Sequence, residues 1–114
     1  MRDRESDNKR LEDILHAIDI IQQYLLTIHK QDLENESVYY FAVIKNIEII
    51  GEAANSLSEE MISKRPDVNW RSIIDMRHFM VHHYFDIDVD IVWNTVINDL
   101  LPLKTIVNEL LTGL

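Results

Sequence analysis

The chain has 114 residues, with 20 Asp+Glu against 11 Lys+Arg and a formal charge of −9. That length suits one domain, and the acidity excludes a protein that coats nucleic acid non-specifically, which needs a net basic surface. There is no cysteine, which excludes disulfides, thiolate nucleophiles and cysteine-based zinc sites. With 46% apolar residues the chain can build a core without metal or disulfide staples. It contains no apolar run long enough to span a membrane. The stretch Met1 to Asp7 lacks an apolar signal core, so the expected location is the cytoplasm.

Only two Gly and two Pro occur, too few for the tight turns of an all-β protein, so the expected class is all-α. From Lys9 to His29 the residues Leu11, Ile14, Leu15, Ile18, Ile21, Leu25 and Ile28 recur at helical spacing and form one apolar stripe. Residues 31–36 are polar and read as a connection. The second segment runs from Ser37 to Ser63 and is apolar over a wide arc, through Ala42, Val43, Ile47, Ile49, Ile50, Ala53, Ala54, Leu57 and Met61. Such an arc implies more than one neighbour. Lys45, Glu48, Glu52, Asn55 and Glu59 form its polar stripe. Gly51 in a helix interior costs about 1 kcal/mol relative to Ala, so a close helix crossing is the expected reason for it. Asn46 falls inside the apolar arc, where a buried amide needs a partner.

Arg65-Pro66-Asp67-Val68-Asn69 breaks the pattern, since Pro66 disfavours helix at Arg65 and Asn69 is a good cap for the next helix. The third segment spans Trp70 to His83. Phe85-Asp86-Ile87-Asp88 reads as a turn, with Asp88 capping a fourth helix from Val89. Pro102 is expected to kink that helix or to restart it as a short fifth. The expected architecture is an up-and-down bundle of four main helices in a single domain over residues 1–114.

The chemistry concentrates in Arg77-His78-Phe79-Met80-Val81-His82-His83-Tyr84. On a helical wheel with Ile73 at zero, Arg77 falls near 40° and Tyr84 near 20°, approximately within the apolar arc of Trp70, Ile74, Met76, Met80 and Val81. A guanidinium in an apolar stripe must be paired or must reach the rim. Its planar fork of donors also suits phosphate. His78 and His82, four apart, lie on the polar side. They could hold a metal only with further ligands, and His82 could instead act as a general acid or base. Arg77 and His82 diverge by about 140° on one straight helix. One site therefore needs either a frayed helix end or two chains that share a cleft.

Two stretches together resemble the HepT-like toxins of the HEPN (higher eukaryotes and prokaryotes nucleotide-binding) superfamily. Ala42 to Ala54 is similar to the second-helix signature. Arg77, His82 and Tyr84 fill an Arg-x4-His-x-Tyr motif, followed by Phe85 to Asp88 and Ile91-Val92-Trp93. The resemblance implies the HEPN fold and a homodimer with facing motifs. It implies the toxin of a type VII toxin–antitoxin pair, a metal-independent endoribonuclease without cofactor that cuts RNA such as tRNA or mRNA. Arg77 and His82 would be its catalytic residues, with His78 and Asn46 as substrate contacts. The implied partner is a minimal nucleotidyltransferase (MntA-like) antitoxin, which would neutralise the toxin by AMPylation of Tyr84. A second reading is a non-catalytic nucleotide- or substrate-binding subunit of a nucleotidyltransferase pair. A third is a metal protein that uses His78, His82 and His83.

The charge is uneven. Residues 70–85 hold Arg71 and Arg77 against Asp75 alone, a formal charge of +1 that leaves −10 to the remainder. A small positive site on an otherwise repelling surface fits a selective cleft rather than a coat.

Overall fold

A computed structural model describes residues 2–35, 37–82 and 88–113, without the side chains of residues 2–4, 79, 81 and 82. Every regular element among them is helical: α1 (Arg2–Leu25), a 3-10 turn (Lys30–Leu33), α2 (Val38–Asn55), α3 (Glu59–Ser63), α4 (Trp70–His82), α5 (Val89–Asn94), a π-helical turn (Thr95–Asp99) and α6 (Leu100–Thr112). The all-α expectation is met. None of these helices is long and apolar enough to cross a membrane.

α1 begins at Arg2, earlier than its apolar stripe, and it buries Leu11, Ile14, Ala17, Ile18 and Ile21. The early start has a tertiary cause. Asp7 is only 5% exposed, and its carboxylate accepts from the Ser58 N–H at 2.8 Å and from the Ser58 hydroxyl at 2.6 Å. The same contact divides the second segment. The periodicity predicts one helix to Ser63, but α2 stops at Asn55 and α3 starts at Glu59. Ser58 caps α3 by accepting from the Met61 N–H at 3.1 Å. A cap that is itself held by a buried carboxylate outweighs helix propagation through Ser56-Leu57-Ser58.

Caps form elsewhere too, at the two expected positions, Asn69 and Asp88, and also at Ser37. Ser37 accepts from Tyr40 at the start of α2, Asn69 from Ser72 at the start of α4, and Asp88 from Asp90 at the start of α5. Pro102 lies in the first turn of α6, in line with the expected restart. It is the third residue of α6, near a helix start where a missing N–H costs least. The π turn before it joins α5 to α6 with no intervening loop. α6 stops at Gly113, whose φ of 77° suits a residue without Cβ.

α2 is the central helix and packs on both α1 and α4, while α6 packs on the far side of α1. Lys104 on α6 reaches Asp19 on α1 at 3.0 Å. α4 is thus held chiefly by α2. Its other side faces α5, the π turn and α6 across a groove of about 930 Å³.

Candidate active site

α2 and α4 meet at Gly51 and Arg77. A Cβ added to Gly51 would lie 2.9 Å from Arg77 Cγ and 3.1 Å from its Cα, and closer still to its Cβ. No side chain fits there without moving α4, which explains the glycine inside α2. The Arg77 stem therefore runs across the bare backbone of α2, and its head emerges at the rim, where the side chain is 33% exposed. Arg77 Nη2 lies 2.9 Å from Glu52 Oε2 and forms an ion pair with it. Arg77 Nε is buried and has no hydrogen-bond acceptor among the described residues. The guanidinium is thus tethered at one corner and keeps donors for an anion.

By spacing alone, Glu52 belongs to a solvated polar stripe. Its neighbour Gly51 signals a close crossing, but linear spacing does not say which residue of α4 meets it. Asn46 is 8% exposed and donates to Ala42 O at 2.8 Å within its own helix. One N–H of its amide is used there, which leaves the second N–H as a donor and Oδ1 as an acceptor. It stands five residues before Gly51, about 7.5 Å along the axis.

His78 is exposed and lines the groove together with Ser72, Asp75 and the apolar Ile73, Met76 and Met80. His82 closes α4, and its backbone follows Arg77 by five residues on the same helix. The His82 side chain, and His83 and Tyr84 entirely, lie outside the described residues. Among the described residues no group of three or more His, Asp or Glu is placed to hold a metal ion.

A guanidinium held at a helix crossing, one turn and a half before a histidine, can grip a phosphate and sit near a proton carrier. Comparison with known proteins gives that arrangement its context. Residues 14–110 match the sequence profile of the family described as ribonuclease HepT-like. The chain belongs to that family. It is 36% identical over 101 residues to a Thermococcus cleftensis protein named "Probable ribonuclease HepT", covering 89% of this chain and 92% of that one. It is 32% identical over 101 residues to a candidate RNase of Caldanaerobacter subterraneus subsp. tengcongensis, covering 89% and 90%. A candidate RNase of Methanocaldococcus jannaschii is 31% identical over 94 residues, covering 82% and 86%. No solved structure matches the chain. The HepT-like profile spans α2, α4 and the Arg77–Tyr84 segment, so the motif and the crossing that presents it lie within one family unit.

Proposed function

We propose that this HepT-like chain is a metal-independent endoribonuclease, the toxin of a type VII toxin–antitoxin pair. The observation that carries the reading is Arg77, fixed on α4 with part of its guanidinium open, five residues before His82, in a family named for ribonuclease activity. In the proposed reaction a ribose 2′-oxygen attacks the adjacent phosphorus and the P–O5′ bond breaks. The products are a 2′,3′-cyclic phosphate and a free 5′-hydroxyl. His82 takes the 2′-hydroxyl proton, or delivers one to the leaving 5′-oxygen. Arg77 donates to the phosphate oxygens as charge grows on them. His78 is assigned a substrate contact, and Asn46 one through Oδ1 or its second amide N–H.

The helix geometry supports a homodimer. Positions 77 and 82 are about 140° apart on the wheel of one straight helix, a spacing that disfavours one phosphate served by both residues of one chain. Two chains related by a two-fold axis can bring a pair of motifs together. The side of α4 away from α2 favours such pairing: half-buried Ile73 and Met76 face exposed Ile91 across the groove. The assigned regulator is an MntA-like nucleotidyltransferase that adds AMP to Tyr84. That tyrosine follows Arg77 by seven residues in the sequence. A phosphate attached there would compete with substrate for the guanidinium.

The test is RNA cleavage by purified protein in EDTA. The parent is expected to cleave, and folded, dimeric His82→Ala to lose about 10²- to 10⁴-fold. Equal cleavage by the two would defeat the mechanism. Saturable AMP binding with no cleavage of any RNA class would favour the binding-subunit reading instead. Co-expression with the nucleotidyltransferase is expected to raise the intact mass by one or more AMP units, and Tyr84→Phe to prevent it.

A further inference from the structure

The second-helix stretch that resembles the family contains a residue for which the reaction above has no use. That residue is Glu52. It contacts Arg77 at 2.9 Å, and it follows the glycine that the Arg77 stem crosses. Two consecutive positions of α2 therefore hold one side chain, Gly51 at its base and Glu52 at its head. Stability does not explain the pair. The Glu52 side chain is 55% exposed, and an ion pair so open to water contributes little to folding.

The surrounding charges are already matched. Glu52 borders a crevice of about 150 Å³ lined also by Arg10, Asp13, Lys45 and Glu48. Within it Arg10 lies 4.0 Å from Asp13, and Lys45 lies 3.7 Å from Glu48. Arg77 is the cation to which Glu52 is closest. Arg77 Nε is buried and lacks an acceptor among the described residues, and Glu52 is the carboxylate that those residues place against that guanidinium.

We propose that Glu52 is a positioning residue for Arg77, and that it sets RNA affinity and turnover in opposite directions. The inference rests on the ribonuclease reading. As an anchor, Glu52 fixes the fork in one orientation, so a bound phosphate meets pre-aimed donors, which raises kcat. As a negative charge beside the same cation, it cancels part of the attraction for phosphate, which raises KM. An enzyme with Glu52 is thus faster on RNA that is already bound and weaker in capturing it. That combination spares RNA that does not otherwise fit the cleft.

Two substitutions separate the roles. Glu52→Gln keeps an oxygen for the Arg77 Nη2 donor and removes the charge. Its kcat is expected to stay near the parent value while KM falls by about fivefold at low salt. Glu52→Ala removes both, and kcat is expected to fall by about tenfold or more with no rise in KM. A role confined to folding would not divide kcat from KM in this way.

The second readout is the ¹⁵N–¹H signal of Arg77 Nε, assigned by its loss in Arg77→Lys. It is expected to persist in Glu52→Gln and to broaden away in Glu52→Ala. Equal kcat in the parent and Glu52→Ala, a rise of KM in both variants, or an Arg77 signal unchanged in Glu52→Ala would each overturn the proposal. A parent that cleaves no RNA defeats the ribonuclease reading and, with it, the catalytic half of the inference. Loss of the signal in Ala but not in Gln would still establish the anchor.

Discussion

The two sides of α4 are built differently. Toward α2 it is in such close contact that one position must be glycine. Toward α5 and α6 it borders a groove of about 930 Å³ with half-buried Ile73 and Met76 on its wall. The tight side gives Arg77 a fixed base, which a group that must aim at a phosphate needs. The open side leaves room for another chain or a substrate. A helix packed equally on all sides would have neither a rim for the guanidinium nor a free face.

Substitutions on the two sides should diverge, and the sharpest break is in the core beneath the crossing. Ile50 is fully buried beside Gly51, and Ile50→Ala is expected to cost about 2–5 kcal/mol in urea unfolding. Asp7→Ala leaves the Ser58 donors without their acceptor and is expected to cost about 1–3 kcal/mol by the same measurement. On the open side, Met76→Ser is expected to change stability of the isolated chain by no more than about 1 kcal/mol, because the side chain is only half covered. If the groove is the subunit contact, that substitution shifts the sedimentation coefficient from dimer to monomer. A dimer unaffected by Met76→Ser would place the contact elsewhere.

The smallest effect is one of pH. Arg65 donates to Asp67 through Nε and Nη2 at 3.0 and 2.8 Å, which holds the Asp67 carboxyl below the ordinary carboxylate value and raises Arg65 above its own. A depressed acid adds stability above its unfolded pKa and loses it as pH falls through the folded one. The Tm advantage of the parent over Asp67→Asn should therefore be present near neutrality and disappear in acid. An advantage that grows in acid would contradict the assigned sign.

Much of this was legible from residues. The apolar stripe of α1, the caps at Asn69 and Asp88 and the need for a close approach at Gly51 are local patterns, and helix physics reads local patterns directly. Two features were not legible because each depends on a distant residue. Asp7 splits the second segment from 51 positions away. Glu52 looks like solvated surface until α4 brings Arg77 to it. For the site, spacing placed Arg77 in an apolar arc and raised the option of a head that reaches the rim. The crossing shows how both hold, with a stem on bare backbone and a head at the edge.

The central claim is that the α2–α4 crossing sets the position of Arg77 for cleavage. The most direct measurement is kcat of Gly51→Ala on RNA in EDTA, taken below the unfolding transition, with stability measured alongside. One added methyl is expected to cost about 1–3 kcal/mol, and its displacement of Arg77 to lower kcat by about tenfold to a hundredfold in protein that is still folded. A folded Gly51→Ala protein with parental kcat would contradict the account.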